Sequence, residues 1–286
     1  MELRKILSCD IPTALLEIPQ PPKELWVLGE LPSPETVLLT VVGSRKFTSY
    51  GKEACEEIIQ GLAGYDIAIV SGLAIGMDAI AHESAMRAGL HTIAVPGSGL
   101  DENVLYPRTN VNLARRILEA GGALLSEFPP DQKATNWTFP KRNRIMAGLA
   151  KATLIIESGE RSGTRITAKL ATDFNREVLA VPGSIFSPTS RGPNLLIELG
   201  ATPILGANDV LRALGFALSE EPIQQNFDFS SLPPTERGIM ELLTEPMYRD
   251  QIIEQLDLPA SDANILLMKM EIAGLVKETP TGIRRA

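Results

Sequence analysis

The sequence has few of the residues that build covalent links or metal sites. Among its 286 residues are two cysteines, Cys9 and Cys55, which lie far apart in the chain, and two histidines. So small a set offers no cluster for a structural zinc ion. Two distant thiols are typical of a reduced setting. We therefore expect a cytoplasmic protein with no metal and no other cofactor.

Long apolar runs and nucleotide-cofactor fingerprints are also missing. No run approaches the roughly 18 residues of a membrane span, and the start, MELRKILSCDIPTALL, lacks the features of an export signal. No G-x-G-x-x-G follows the first predicted strand, where GSRKFT stands instead, and no acid ends the second strand to hold a ribose. These absences exclude a membrane-spanning protein and a bound NAD or FAD.

Positive charge is in deficit, with a formal net charge of −8. This balance argues against a protein that coats nucleic acid over its whole surface. One stretch is locally basic despite the negative net charge. FPKRNRIMAGL, residues 139–149, places three cations just after Phe139 and Trp137. Cations that hold phosphate beside rings that stack on bases favour a single-stranded nucleic-acid site. The alternative is a solvated helix start with extended Lys and Arg side chains.

Apolar runs and helical patterns alternate through residues 36–215. This alternation predicts an α/β fold with a doubly wound, mostly parallel sheet and right-handed crossovers. Residues 1–35 are rich in proline and are predicted to form an irregular lead-in. Strands are predicted at 37–42, 66–72, 91–99, 123–127, 152–158 and 177–184, and helices at 49–63, 76–89, 110–121, 162–176 and from the basic stretch onward.

The last part of the chain reads differently. Residues 216–234 are polar and contain prolines, which indicates a linker. Residues 235–286 hold three short helical patterns, then a Pro-Thr-Gly turn between two extended pieces, and predict a small winged-helix domain. Ser261 is the predicted N-cap of the third helix. An all-helical bundle with a frayed tail is the alternative.

Small residues follow the predicted strands, where a parallel sheet binds its ligands. Glycine lets a backbone approach a ligand closely, and helix N-termini favour anions. Together with nearby arginines, these loops predict a phosphate-binding rim. The loops are Gly43-Ser44-Arg45, Ser71-Gly72, Pro96-Gly97-Ser98-Gly99, Phe128-Pro129-Pro130 and Ser162-Gly163-Thr164, and the arginines are Arg45, Arg108, Arg142, Arg144 and Arg165.

Each of these residues also has a plain structural interpretation. Arg45 could form a salt bridge across the rim, and Arg108 could be a turn residue. Phe139 could be a hydrophobic staple, and Gly163 with Thr164 could only cap a helix. Asp78 and His82 lie four residues apart, on one helix face. We weigh an acid–base pair there against a structural network that fixes the glycine loop, and favour the network.

Several motifs, taken in order, resemble the DNA processing protein A (DprA, or Smf) family. They cover about residues 15 to 214, and a winged-helix tail is familiar in the same family. The motifs are VVGSR (41–45), SGLAIGMDAIAH (71–82), LYPR (105–108), LLSEFPP (124–130), FPKRNRIMAGL (139–149), SGTRITA (162–168), EVLAVPGSI (177–185) and GPNLLIELGA (192–201).

The resemblance implies a Rossmann-like core that binds single-stranded DNA, forms a homodimer and hands the strand to the RecA recombinase. It implies a role in natural transformation (competence) or DNA recombination, without catalysis. Ile75 stands where the family often has Arg, and Gly97-Ser98-Gly99 where it usually has Gly-Cys-Gly. The implied DNA-binding residues are Gly43, Ser44, Arg45, Gly72, Gly76, Arg108, Phe139, Lys141, Arg142, Asn143, Arg144, Gly163, Thr164 and Lys169.

Two other functions use the same kind of rim. One is a nucleotide phosphoribohydrolase of the lysine-decarboxylase-like (LOG) group, but Thr167 stands where its catalytic glutamate would be. The other is a protein that senses a small nucleotide. The tail is expected to be an interaction or regulatory module and not a duplex reader, because residues 235–286 carry nine acids against six cations.

Overall fold

The computed structural model describes residues 2–7, 10–159, 162–217, 232–256, 258–279 and 282–285. The chain divides into two compact units, Met1–Leu218 and Ser219–Ala286. Cys9 and most of the predicted linker lie outside the described residues. The predicted domain limits at residues 35, 215 and 234 stay predictions.

A nine-stranded sheet forms the centre of the first unit, in the order β1-β2-β6-β5-β4-β3-β7-β8-β9. Strands β3 to β9 pair in parallel, as the continuous apolar runs predicted, whereas β2 is antiparallel to both β1 and β6. The mostly parallel sheet is therefore confirmed. In chain order the strands are Arg4–Leu7, Glu24–Gly29, Val37–Val42, Ile67–Ser71, His91–Ala94, Ala123–Ser126, Ala152–Ile155, Glu177–Ala180 and Thr202–Pro203.

Helices cover both faces of this sheet. In chain order, α1 to α8 are Thr13–Leu16, Ser49–Gln60, Met77–Arg87, Val111–Glu119, Thr138–Leu149, Gly163–Asp173, Arg191–Glu198 and Ala207–Ala213. Side chains of α2, α3 and α8 pack on one face, around Leu39 and Val41. Those of α1, α5 and α6 pack on the other, around Val42 and Val70. Successive strand residues point to opposite faces, so each central strand contributes to both cores.

The prediction of an irregular lead-in is wrong. Arg4–Leu7 and Glu24–Gly29 are strands that extend the sheet beyond β6. The prolines at 19, 21 and 22 precede the second strand and leave its amides free to pair, and Leu25 and Val27 alternate with more exposed neighbours. The two-residue strand β9 and helices α7 and α8 were also not predicted.

The second unit has its own apolar core. Helices α9 (Pro234–Leu242), α10 (Arg249–Gln255) and α11 (Ala260–Ile272) precede two strands, β10 (Val276–Thr279) and β11 (Gly282–Arg285), which pair antiparallel. The all-helical alternative is therefore wrong. Ser261 is not the N-cap of α11: the helix begins at Ala260, two residues earlier than that cap implies, with Pro259 in the capping position. Within the described chain, none of the helices has the length and apolar character needed to span a membrane.

Candidate nucleic-acid interface

A cavity of about 530 Å³ opens at the carboxyl ends of β3 and β7. The chain leaves β3 for β4 on one side and returns later to place β7 on the other. In doubly wound sheets this reversal of strand order creates the crevice where ligands bind. The walls come from the loop at 43–46, from one side of α5 and from residues 162–164 at the start of α6.

Two cations stand at the mouth of this cavity. Arg45 and Lys46 are both exposed, in the loop that follows β3. The Ser44 hydroxyl donates to the Lys46 carbonyl at 2.7 Å and accepts from the Lys46 amide at 3.0 Å, which fixes the turn between them. Arg45 places its guanidinium carbon 5.9 Å from the centroid of the Phe139 ring. A cation and a ring face are thus presented together.

Phe139 belongs to a pair of rings. Tyr106 lies 5.7 Å from it, centroid to centroid, with a tilt of 60° between the rings. Both rings line a smaller hollow next to the cavity, together with the exposed Ile75. A Cβ on Gly97 would lie 2.6 Å from Phe139 Cδ1, so the absence of a side chain at residue 97 makes room for the Phe139 ring. Tyr106 was not among the predicted site residues, although the LYPR motif contained it.

Arg142 forms part of the cavity floor and is buried, at 5% exposure. Its Nη1 donates to the carbonyl oxygens of Gly72 and Val95, both at 2.5 Å, and its Nε donates to Asn143 Oδ1 at 3.0 Å. A Cβ on Gly72 would lie 1.9 Å from Nη1, so only glycine fits. Burial lowers the pKa of Arg142 to about 10, which leaves it charged at neutral pH. Arg142 therefore supplies a positive charge at the floor of the cavity.

Asp78 fixes the glycine loop, as the network interpretation predicted. Its Oδ2 accepts from the amides of Gly72 at 3.1 Å and Ala74 at 3.4 Å. Burial raises the pKa of Asp78, and the charge of Arg142 opposes that rise. His82 has a partner other than Asp78: its Nδ1 lies 2.8 Å from the Thr92 hydroxyl. Burial lowers the pKa of His82 to about 3. The acid–base pair is therefore wrong.

Two further predicted residues close the rim. Gly76 has φ +87°, and a Cβ there would lie 2.7 Å from Arg45 Cα, so glycine allows the start of α3 to press against the Arg45 loop. The amide of Thr164 donates to Ser162 Oγ at 3.2 Å, and its hydroxyl donates to the Gly43 carbonyl at 3.2 Å. Ser162 is therefore the N-cap of α6, and the predicted phosphate contact of Thr164 stays a prediction. Gly163 lines the cavity beside it.

The structure does not bring five of the predicted cations into this cavity: Arg108, Lys141, Arg144, Arg165 and Lys169. Arg108 donates to the Glu102 carbonyl at 2.5 Å, and Lys169 lines a different hollow beside Arg165 and Arg176. Lys141 lies 3.6 Å from a Glu127 carboxylate oxygen and near the rings of Phe128 and Trp137. Arg144 is paired with the same Glu127 and donates to the Gln20 carbonyl at 2.6 Å.

Helix geometry explains this division. Residues 139, 142, 143 and 146 follow the i, i+3, i+4, i+7 spacing and line the cavity from α5. Residues 141 and 144 lie on another side of the same helix. The compact basic cluster of the sequence is therefore split by the helix, with Arg142 beneath the cavity and Arg144 in an ion pair.

A buried carboxylate supports the Arg45 loop from behind. Glu157, at 1% exposure, accepts from the amide of Thr48 at 2.8 Å, from the Thr48 hydroxyl at 2.7 Å and from the Thr189 hydroxyl at 2.9 Å. It ties the start of α2 to the end of β7. Sequence reasoning missed this residue, and an acid directly after a buried apolar strand was the available signal.

Comparisons with known proteins give one consistent result. A family model described as DNA recombination-mediator protein A matches residues 3–215, and a DprA winged helix domain matches residues 230–282. Protein Smf of Escherichia coli K12 is 37% identical, with 96% of this chain and 75% of that protein covered. DNA processing protein DprA of Bacillus subtilis is 38% identical, with 73% of this chain and 70% of that protein covered.

Solved structures agree with the sequence comparison. The X-ray structure of DNA processing protein A from Streptococcus pneumoniae has a TM-score of 0.70 and 37% identity, with 76% of each chain covered. A structure describing the single-stranded DNA binding mode of DNA processing protein A from Helicobacter pylori has a TM-score of 0.66 and 28% identity. It covers 74% of this chain and 95% of that one.

Proposed function

This chain belongs to the DNA recombination-mediator protein A family, and from that premise we propose that it binds single-stranded DNA at the β3–β7 cavity. Its role is to protect incoming or exposed strands in the cytoplasm and to help load the RecA recombinase, in natural transformation or DNA recombination. The chain acts as a binding protein and not as an enzyme.

The observation that carries the proposal is the pairing of charge and ring at the cavity mouth. Arg45 and Lys46 can neutralise phosphates, and Phe139 with Tyr106 offers π-faces for unstacked bases. The buried charge of Arg142 adds attraction from beneath. These contacts are open to a single strand, whereas the bases of a duplex are already stacked on each other.

The predicted site residues take three roles in this proposal. Gly43, Ser44, Arg45, Phe139 and Gly163 lie where a strand would touch them. Gly72, Gly76, Arg142, Asn143 and Thr164 hold or charge the cavity walls, and Arg108, Lys141 and Lys169, all exposed, are assigned to a longer strand that leaves the cavity. Arg144 is assigned to the ion pair with Glu127 and not to DNA.

A homodimer is part of the proposal. The sheet ends at β9, a strand of two residues, and Leu199 and Leu205 on either side of it are 71% and 83% exposed. Large apolar side chains left in water beside a sheet edge favour association with another chain. The second unit is proposed to be a protein-interaction module, because its charge balance disfavours duplex binding.

Calorimetric titration separates strand binding from the two alternatives. An oligo-dT strand should bind, a nucleoside monophosphate should bind far more weakly, and a duplex of the same length should bind less tightly than the strand. Free base should not be released from the monophosphate, because Thr167 in the cavity wall cannot supply a carboxylate. Equal affinity for monophosphate and strand would favour nucleotide sensing, and base release that persists after repurification would favour hydrolysis.

A further inference from the structure

The outward side of α11 carries a row of large apolar side chains. Ala263, Leu267 and Met270 of this helix are buried in the core of the second unit. On the opposite side, Ile265, Met268 and Ile272 are 54%, 59% and 82% exposed. Their i, i+3, i+7 spacing places them in one stripe along the helix. We call these three residues the α11 stripe. Contiguous apolar surface of this kind marks an interaction site.

The stripe is poorly suited to duplex DNA. A winged helix places its third helix in the major groove, where polar and basic side chains meet base edges and phosphates. In α11 the exposed side begins with Ser261 and Asp262, and Lys269 is the helix's one cation. Apolar side chains beside an acid at the groove-facing end favour a protein partner.

We propose that the α11 stripe binds α11 of a second copy of this chain, with the two helices antiparallel. The charges beside the stripe are arranged for this. Asp262 and Lys269 are seven residues apart, two helical turns, and so lie along the same edge of the stripe. A two-fold axis between Leu266 and Leu267 brings each Asp262 opposite Lys269 of the second copy. The pairing occurs twice by symmetry.

The other edge and the stripe itself fit the same axis. Asn264 and Glu271 are also seven residues apart, on the opposite edge, so an amide meets a carboxylate there. Ile265 packs on Met268 of the second copy. Ile272 reaches the start of the second helix, near Leu258, which is 37% exposed. A parallel pairing would instead set each edge against the opposite edge of the second copy, so Asp262 would lose Lys269 as its partner.

The contact is small, and its strength comes from tethering. Two helices of 13 residues bury less surface than a stable interface of about 1,200 Å² requires. Two chains already held together elsewhere would present the stripes at high effective concentration, and a weak contact then forms. The inference names the partner of the proposed interaction module and rests on that role, and it is independent of strand binding.

Zero-length cross-linking of the full chain tests the pairing. Light and nitrogen-15-labelled protein are mixed in equal amounts and treated with a carbodiimide, which couples a carboxylate to a lysine amine in contact. The link between Asp262 and Lys269 should appear in mixed-isotope form. Lys5 and Glu24, 2.6 Å apart in neighbouring strands of one chain, give a link of single isotope type and serve as the internal control.

Three variants sharpen the test. Asp262→Lys should abolish the mixed link, and Asp262→Lys combined with Lys269→Asp should restore it with the reactive groups exchanged. Ile265→Asp leaves both reactive groups in place but puts a charge into the stripe, and should lower the yield of the mixed link about tenfold. Because Ile265 is exposed, its replacement leaves the core of the unit intact.

Several results would overturn the inference. These are links of single isotope type only, a yield that Ile265→Asp leaves unchanged, failure of the double exchange, or loss of the mixed link on addition of a short duplex. The last result would make α11 a duplex-binding helix. Oligo-dT titration of the Ile265→Asp variant should give wild-type affinity. Mixed links in a protein that does not bind the strand would instead refute strand binding and leave the helix pairing standing.

Discussion

At the scale of single residues, Phe139 separates stacking from charge. Phe139→Ala should weaken strand binding by about 1–3 kcal/mol, because a base loses its stacking face. The dependence of affinity on salt should not change, since no cation is removed. Affinity measured by fluorescence anisotropy over a salt series gives both quantities.

A second substitution controls for packing in this test. Phe139 sits over Gly97, so Phe139→Leu fills much of the same space without a π-face. Loss of affinity in both variants, with folding intact, supports stacking. Wild-type affinity in Phe139→Leu, or unfolding of both variants, would return Phe139 to the role of a hydrophobic staple.

His82 predicts how stability responds to acid. Its folded pKa is lowered to about 3 by burial, whereas an unfolded histidine titrates near 6.5. Between these values the unfolded chain binds the extra proton, so stability falls as pH drops below about 6.5. His82→Gln should reduce the loss of unfolding free energy between pH 7 and pH 5 by about 2 kcal/mol. Urea unfolding at the two pH values measures it. An unchanged loss would show that another group is responsible.

At the scale of elements, α5 shows what the sequence could and could not predict. The basic stretch and the helix after it were visible, and so was a rim of glycine loops, because each follows a buried apolar strand. The direction in which each cation points could not be predicted, because it depends on where α5 begins and on partners that are distant in the sequence. Glu127 and the Gln20 carbonyl hold Arg144, and the Gly72 and Val95 carbonyls hold Arg142.

Prediction of the sheet was limited in the same way, by contacts between residues that are distant in the sequence. Its central strands are continuous β-branched or apolar runs, typical of strands buried on both faces. Strand β1 is short, mostly exposed and half basic, β2 alternates and follows a run of prolines, and β9 has only two residues, so local pattern did not reveal them. Their pairing is decided by neighbours far along the chain.

The orientation of α5 leads to a prediction for Arg144. Arg144→Ala should lower the unfolding free energy by about 3 kcal/mol, because it leaves the largely buried Glu127 carboxylate with only its longer contact to Lys141. The salt dependence of strand binding should stay that of the wild type. Lys141→Ala is the matched control, with a longer and more exposed ion pair to Glu127, and should cost less than about 1 kcal/mol. A stable Arg144→Ala protein with a reduced salt slope would place Arg144 on the DNA.

At the scale of the whole molecule, the two units are expected to divide the work. A chain ending at residue 222 should keep strand affinity to within about threefold, because the cavity belongs entirely to the first unit. The full chain should bind duplex no better than the truncated one at physiological salt. Loss of strand affinity in a truncated but folded protein, or duplex binding that disappears on truncation, would refute this division.

Net charge gives the most direct test of where the strand binds. The chain carries −8 overall, so salt-dependent binding of an anionic strand has to come from a local cluster. The decisive measurement is the slope of log affinity for oligo-dT against log salt, in wild type, Arg45→Ala and the control Arg212→Ala. Arg212 is an exposed cation of α8, outside the cavity, paired with Asp209. Arg45→Ala should reduce the slope by about 0.7, one single-strand phosphate, and Arg212→Ala should not change it. Equal slopes in all three folded proteins would contradict strand binding at the β3–β7 cavity.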